Sequence, residues 1–296
     1  MRYRVHHVTQ YRYAANVELA HHLLHLEPRP LPERQTSAWS LAVEPAPAVT
    51  ARHFDCFGNP ATYLAIERPH DALRISSELD ITVRAPPDVD PAATAPWEQV
   101  RNAITVAPDP AARGAAAFAY PSARIPPLPA LAAYARSSFP PGGAIGASVR
   151  DLVARIHSDF VFDPVATNAS TPLADVLVTR RGVCQDLAHV AIGCLRAVGL
   201  SARYVSGYLR TIAPAGSPQP RGADASHAWI AVWCGADGWV DFDPTNDRAD
   251  PLDYVTVAWG RDFADVSPAR GVLFGGGGHS VAVMVDVAPA ADGQDG

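Results

Sequence analysis

Residues 181–200, RGVCQDLAHVAIGCLRAVGL, decide the fold. Leu187, Val190, Ala191, Cys194, Leu195 and Val198 recur at intervals of three and four residues, and Gly199 follows them as a stop. This spacing predicts a buried helix that begins near Cys184. The first turn of a helix carries unpaired N–H groups and the positive end of the helix dipole, which together favour a thiolate. Cys184 therefore stands where a nucleophilic cysteine belongs. A cysteine inside the helical stripe is instead a small apolar core residue, which is the reading that fits Cys194.

Working outward, the downstream runs ARYVSGYL (202–209), SHAWIAVWC (226–234) and GWVDFDP (238–244) read as strands, with a long Pro- and Gly-rich loop over 211–223. His227 follows Cys184 by 43 residues and Asp243 follows His227 by 16. A nucleophile, a base and an orienting acid thus occur together, with Asp241 as an alternative acid. Strand alternation puts His227, Trp229 and Ala231 on one face, and Trp239, Asp241 and Asp243 on one face of the next strand. A five-residue loop from Cys234 to Gly238 would oppose Trp233 to Trp239 and Trp229 to Asp243, with His227 diagonal to Asp243. A four-residue loop would put the histidine and the aspartates on opposite faces.

Upstream, GASVRDLVARIHSDFVFDP (146–164) reads as a helix leading into a short strand at Phe160 to Phe162. Residues 1–88 show period-2 runs separated by turns, which indicate an N-terminal β-sandwich domain. Residues 89–145 are a Pro/Ala-rich connector with short helices near Trp97 to Ile104 and Leu128 to Ser138. Residues 146–250 form the core, and 251–296 a C-terminal β extension with a frayed tail.

Composition narrows the class further. Hydrophobic residues make up 48% and charged residues 18%, a folded globular balance. Thirty acidic residues against 24 basic ones give a net charge of −6, which argues against nucleic acid or an anionic membrane as partner. Lysine is absent, so one copy cannot offer another a lysine amine. Four cysteines without CxxC spacing predict reduced thiols, and the N-terminal MRYRVHHVTQYRYA lacks an apolar leader core. A cytoplasmic location is expected. His21, His22 and His25 have metal-like spacing, but in a strand an i,i+4 pair lies ~13 Å apart, too far to share an ion. No cofactor or metal is expected. His189 points away from Cys184 around its helix and reads as structural.

The stretches RRGVCQDLAHVAIGCLRAVGLSARYVSGYL, DASHAWIAVW and GWVDFDPTN, in this order, resemble the transglutaminase-like cysteine enzyme core. HHVTQYRY, HLLHLEPRP and HFDCFGNP resemble the bacterial transglutaminase-like N-terminal β domain, and residues 260–287 its usual C-terminal extension. The resemblance implies an α+β, papain-like core with Cys184 as nucleophile, His227 as base and Asp243, not Asp241, as orienting acid. Such a triad attacks an amide carbonyl and forms a thioester, with helix N–H groups holding the oxyanion. Water then gives hydrolysis of a peptide or protein amide, the expected reaction; an amine gives transglutamination. An idle core that only binds protein is the alternative from another class. Gln185, Tyr208 and Trp229 are further candidates for the oxyanion site or substrate groove, against plain readings as a helix-start residue and as packed aromatics.

Overall fold

The computed structural model describes residues 1–107, 109–210, 226–247 and 252–290. The loop expected over 211–223 and the frayed tail from 291 lie outside the described residues. The fold is α+β, a curled antiparallel sheet joined to a papain-like core.

The sheet is organised by one strand, β1 (Arg2–Leu24). It is followed by β2 (Arg34–Glu44), β3 (Val49–Phe54), β4 (Pro60–Ile66) and β5 (His70–Val83). Strands β4 and β5 succeed one another along β1, pairing with Ala20–Leu24 and Arg2–Val17. On the other edge lie two strands from the far end of the chain, β12 (Ala269–Gly275) and β13 (His279–Pro289). They pair with Val17–Leu24 and Tyr3–Tyr13. The C-terminal extension therefore completes the N-terminal sheet. Local periodicity cannot disclose a pairing between residues nearly 290 positions apart. Inside the curl, Tyr13, Val17, Leu24, Leu64, Ile66, Leu73 and Ile75 form a small apolar core.

Helices α1 (Trp97–Val106), α2 (Pro110–Ala116) and α3 (Pro129–Ala135) occupy the connector. The sequence reading anticipated α1 and α3 but missed α2, a seven-residue helix whose start is set by Asp109 capping the Ala112 N–H. Val100 and Ile104 of α1, Leu131 of α3 and Ile125 between α2 and α3 enter the main core. Then come α4 (Ile145–Asp159), β6 (Val161–Phe162), α5 (Leu173–Thr179), β7 (Arg181–Gly182) and α6 (Cys184–Ala197). Helix α6 is buried on all sides from Asp186 to Arg196, as a central helix must be. It packs against a four-stranded sheet in the order β10-β9-β8-β11, made of β8 (Ala202–Leu209), β9 (Ser226–Trp233), β10 (Trp239–Phe242) and β11 (Tyr254–Gly260). A short helix, α7 (Phe263–Val266), leads to β12.

Main core and curled sheet share one apolar cluster: Tyr3, Val5, Leu79, Ile81, Val285 and Val287 of the sheet join Leu187, Val190 and Ile230 of the core. The two halves are also bolted together by the EPRP and CFGNP turns. Arg29 stacks 3.2 Å from the centre of the Trp259 ring. The Asn59 side chain donates to the Trp259 carbonyl at 2.8 Å and accepts from its N–H at 3.0 Å. Arg203 lies on the same tryptophan at 4.0 Å and on Trp239 at 3.6 Å. Among the described residues no helix is long and apolar enough to cross a membrane.

A shared core predicts cooperative unfolding. Scanning calorimetry of the full chain should give one transition with equal calorimetric and van't Hoff enthalpies. Two resolved transitions, or a soluble folded fragment of residues 146–250, would show the halves to be independent.

Candidate active site

Cys184 is the first residue of α6 and half-buried. The approach to it is fixed by Asp186, whose Oδ2 accepts the Val183 N–H at 2.9 Å and the Thr167 hydroxyl at 2.6 Å. A carboxylate at the third helical position satisfies an otherwise orphan N–H and complements the dipole. Gly182 makes room for it, because a Cβ there would lie 2.6 Å from that same oxygen. Asp186 is thus a cap, and Gln185 remains half-exposed in the first turn.

His227 is the second residue of β9 and Asp243 follows β10. The hairpin between them pairs Trp239 with Trp233 and Phe242 with Ile230, the register of a five-residue loop. Continued by one residue, it sets Asp243 opposite Trp229 and diagonal to His227. The His227 Nε2 lies 2.8 Å from the Asp243 Oδ2. Asp241 pairs with Ala231 and makes no such contact; it sits on the same face, where the Trp229 indole and the charges of Arg34 and Arg203 act against the rise in its pKa that burial causes.

Asp243 is 1% exposed, so its charge requires internal donors. It has them. Oδ1 accepts the Thr245 N–H at 2.8 Å and the Asn246 N–H at 3.3 Å; Oδ2 accepts the Tyr254 hydroxyl and the Asn246 side-chain amide, each at 2.7 Å, besides His227. Burial pushes the carboxyl up, yet the bonds from His227, Asn246 and Tyr254 outweigh it and hold the pKa below the ordinary value. At His227 burial opposes the charged ring, but hydrogen bonds to Asp243 and Cys184 and the charges of both prevail and push its pKa up to about 10. With Nε2 on the carboxylate, Nδ1 is the nitrogen left for the Cys184 thiol.

The remaining candidates lie elsewhere. Trp229 is not a groove wall: it is 1% exposed, packed under the His227 ring at 6.1 Å between centres and edge-on to Tyr254 at 5.1 Å. Tyr208 does not face the histidine either. Cross-strand pairing puts Gly207 opposite His227 and Tyr208 opposite Ser226, so the Tyr208 side chain projects to the other face. Its hydroxyl meets the His7 Nδ1 at 3.0 Å, a further bond between sheet and core. Gly207 is required where it stands, since a Cβ would come within 2.1 Å of the Val255 carbonyl oxygen and 2.7 Å of the Trp229 ring.

The histidines with metal-like spacing go separate ways. His21 meets the Tyr63 hydroxyl at 2.6 Å, while His25 lies 3.3 Å from Asp55 and 3.4 Å from the Ser267 carbonyl. His189 is buried, its pKa pushed down to about 4 by burial, and its Nε2 accepts the Phe263 N–H at 3.2 Å. Sequence reasoning singled out neither Asn246 nor Tyr254. The DPTN motif contained the first; the second comes from β11, beyond residues 248–251, and carries no local signal.

Comparison with known proteins agrees with this architecture. Residues 3–82 match the bacterial transglutaminase-like N-terminal region, and residues 135–244 the transglutaminase-like superfamily. An uncharacterised protein of Mycobacterium tuberculosis is 39% identical over 298 residues, spanning 97% of this chain and 93% of its own length. The chain belongs to the transglutaminase-like superfamily. A superfamily relative, the protein-glutamine gamma-glutamyltransferase of Pseudomonas aeruginosa, is 35% identical over 92 residues, 30% of this chain and 14% of that one. The crystal structure of a candidate cysteine protease from Cytophaga hutchinsonii superposes with a TM-score of 0.75 at 21% identity, covering 97% of this chain and 90% of its own. That likeness is one of fold. Superfamily membership and this fold support cysteine-dependent catalysis in general terms.

Two outcomes follow for the site. Gly207→Ala should destabilise the protein by about 3 kcal/mol in chemical denaturation, because backbone and a packed indole must both move; a loss under about 1 kcal/mol would contradict the packing described. A histidine whose pKa is raised on folding stabilises most below its unfolded value near 6.5 and loses that contribution as pH rises through about 10. The stability gap between the wild type and His227→Gln should therefore shrink from pH 6.5 to pH 10. A gap that stays constant or widens would refute the shift.

Proposed function

We propose that the protein is a cysteine-dependent amide hydrolase acting on a peptide or protein through a thioester. The observation that carries this reading is the 2.8 Å contact between the His227 imidazole and the buried Asp243 carboxylate, with the half-buried Cys184 thiol at the start of α6 as the nucleophile they would serve. The Cys184 sulfur attacks the amide carbonyl carbon, forming a C–S bond. The tetrahedral oxyanion is met by the N–H groups of the first turn of α6, that of Cys184 among them, which have no i−4 carbonyl to bond. The C–N bond then breaks as the leaving nitrogen takes the proton from the His227 Nδ1. Asp243 keeps the ring oriented and its cation stabilised throughout. Water, activated by the same nitrogen, cleaves the thioester and restores the thiol. Half-burial of Cys184 supports water as the acceptor, because the acyl group would form at a solvent-accessible position.

A primary amine as acceptor is the second reading, favoured by the stretch shared with the Pseudomonas enzyme. Incubation with glutamine-containing and other peptides, with and without a small primary amine, separates the two. Ammonia release or chain cleavage that is lost in Cys184→Ala, with amine incorporation minor at millimolar amine, is the expected result. Dominant incorporation would establish acyl transfer to amines. Turnover that persists in Cys184→Ala would overturn the assignment of the nucleophile.

A further inference from the structure

Asp243 Oδ2 is an unusually crowded acceptor. Three donors converge on this one oxygen: the His227 Nε2 at 2.8 Å, the Asn246 Nδ2 at 2.7 Å and the Tyr254 hydroxyl at 2.7 Å. The other oxygen already accepts two backbone N–H groups, which suffice to keep the turn after β10 in shape. Asn246 and Tyr254 add two further donors to the oxygen that faces the ring. Tyr254 is buried at 4% exposure, and its ring lies 6.1 Å from that of His227. It arrives from β11, on the far side of β8 from β9. Two such competitors for one lone-pair region have an electrostatic consequence. Each donor withdraws charge from the oxygen that stabilises the imidazolium, so each lowers the affinity of the ring for its proton.

We propose that Tyr254 and Asn246 are positioning residues that weaken the hold of Asp243 on the His227 cation and so keep its Nδ1 proton transferable to the leaving amine. This rests on the function proposed above. The reaction needs an imidazolium that gives up a proton when the C–N bond breaks, and Brønsted behaviour penalises a proton held too tightly. An unopposed buried carboxylate would hold it more tightly still. The other groups facing the pair among the described residues are few. Cys184 acts on the ring from α6, Asp241 lies two positions back on the same strand under Trp229, and His157 of α4 meets the Thr245 carbonyl at 2.7 Å. None of these approaches Asp243 Oδ2. Tyr254 and Asn246 are therefore the groups through which its basicity is set.

Titration of the full chain labelled with 15N-histidine, with the His227 ring signals assigned through His227→Gln, tests this without any substrate. In Tyr254→Phe the His227 pKa should rise by about half a unit to one unit, the scale of one charge-assisted hydrogen bond redistributed over the remaining donors. Asn246→Ala, at an exposed turn position, should shift it in the same direction and serves where Tyr254→Phe does not fold. Alkylation of Cys184 by the anionic reagent iodoacetate, which the imidazolium attracts, should keep its rate to correspondingly higher pH in both variants. A His227 pKa that is unchanged or lowered in a folded variant would reduce both residues to scaffolding and overturn the proposal. If amide turnover is absent but the titration shifts as expected, the proposed function fails while the electrostatic coupling stands.

Discussion

A buried carboxylate cannot remain ionised without donors, and Asp243 governs how this end of the molecule is built. Its five donors come from three places: His227 at the start of β9, Tyr254 on β11, and the backbone and side chain of the turn that follows β10. Meeting that demand ties the two outer strands of the core sheet, β10 and β11, to β9. It also fixes the histidine ring, because Nε2 is committed to the carboxylate and Nδ1 is left for the cysteine at the helix start. Trp229 fills the space below the ring, and Gly207 leaves that space open. A hydrogen bond of this type contributes little net stability in water, but in a dry site losing one partner strands a charge. The geometry is held by that penalty.

The same sheet carries the connection to the N-terminal half. Arg29, Trp259, Arg203 and Trp239 stack in turn, linking the EPRP turn to β11, β8 and β10. Burial lowers the pKa of Arg203 to about 9 and that of Arg29 to about 10; aromatic faces hold both charges, and the Asn59 side chain accepts from Arg29 as well. On the opposite face, Tyr208 reaches His7 of β1. The strands next to the cysteine and histidine are thus gripped from outside on both faces. Motifs that resemble a separate β domain in the sequence serve in the fold as the clamp on the core sheet.

How much of this was legible beforehand depended on distance along the chain. Helix α6 announces itself because its apolar spacing and its terminal cysteine lie within twenty residues. The β9–β10 hairpin does so because loop length and side-chain alternation determine its register. Asp243 and Asp241 could not be separated by alternation, since both share a face; resemblance favoured Asp243, and the hydrogen bond is seen there. Alternation placed Trp229 on the His227 face, but its burial there and the direction of Tyr208 depend on the pairing of β8 with β9 and on Tyr254 of β11. The C-terminal β extension was legible as strand, but its pairing with β1 and the place of Tyr254 were not. Their positions follow from pairings that only the folded chain defines.

The central claim is that the His227–Asp243 pair activates Cys184, and site-resolved alkylation of the native protein addresses it most directly. Brief exposure to iodoacetamide near pH 6.5, followed by peptide mass spectrometry, compares Cys184 with Cys56, which is exposed, and with Cys194, which is buried. Solvent access alone would make Cys56 react first. Activation by an adjacent imidazolium makes half-buried Cys184 the fastest, and His227→Gln should abolish that lead while leaving Cys56 unchanged. Cys56 reacting ahead of Cys184 in the folded wild-type protein would contradict the account.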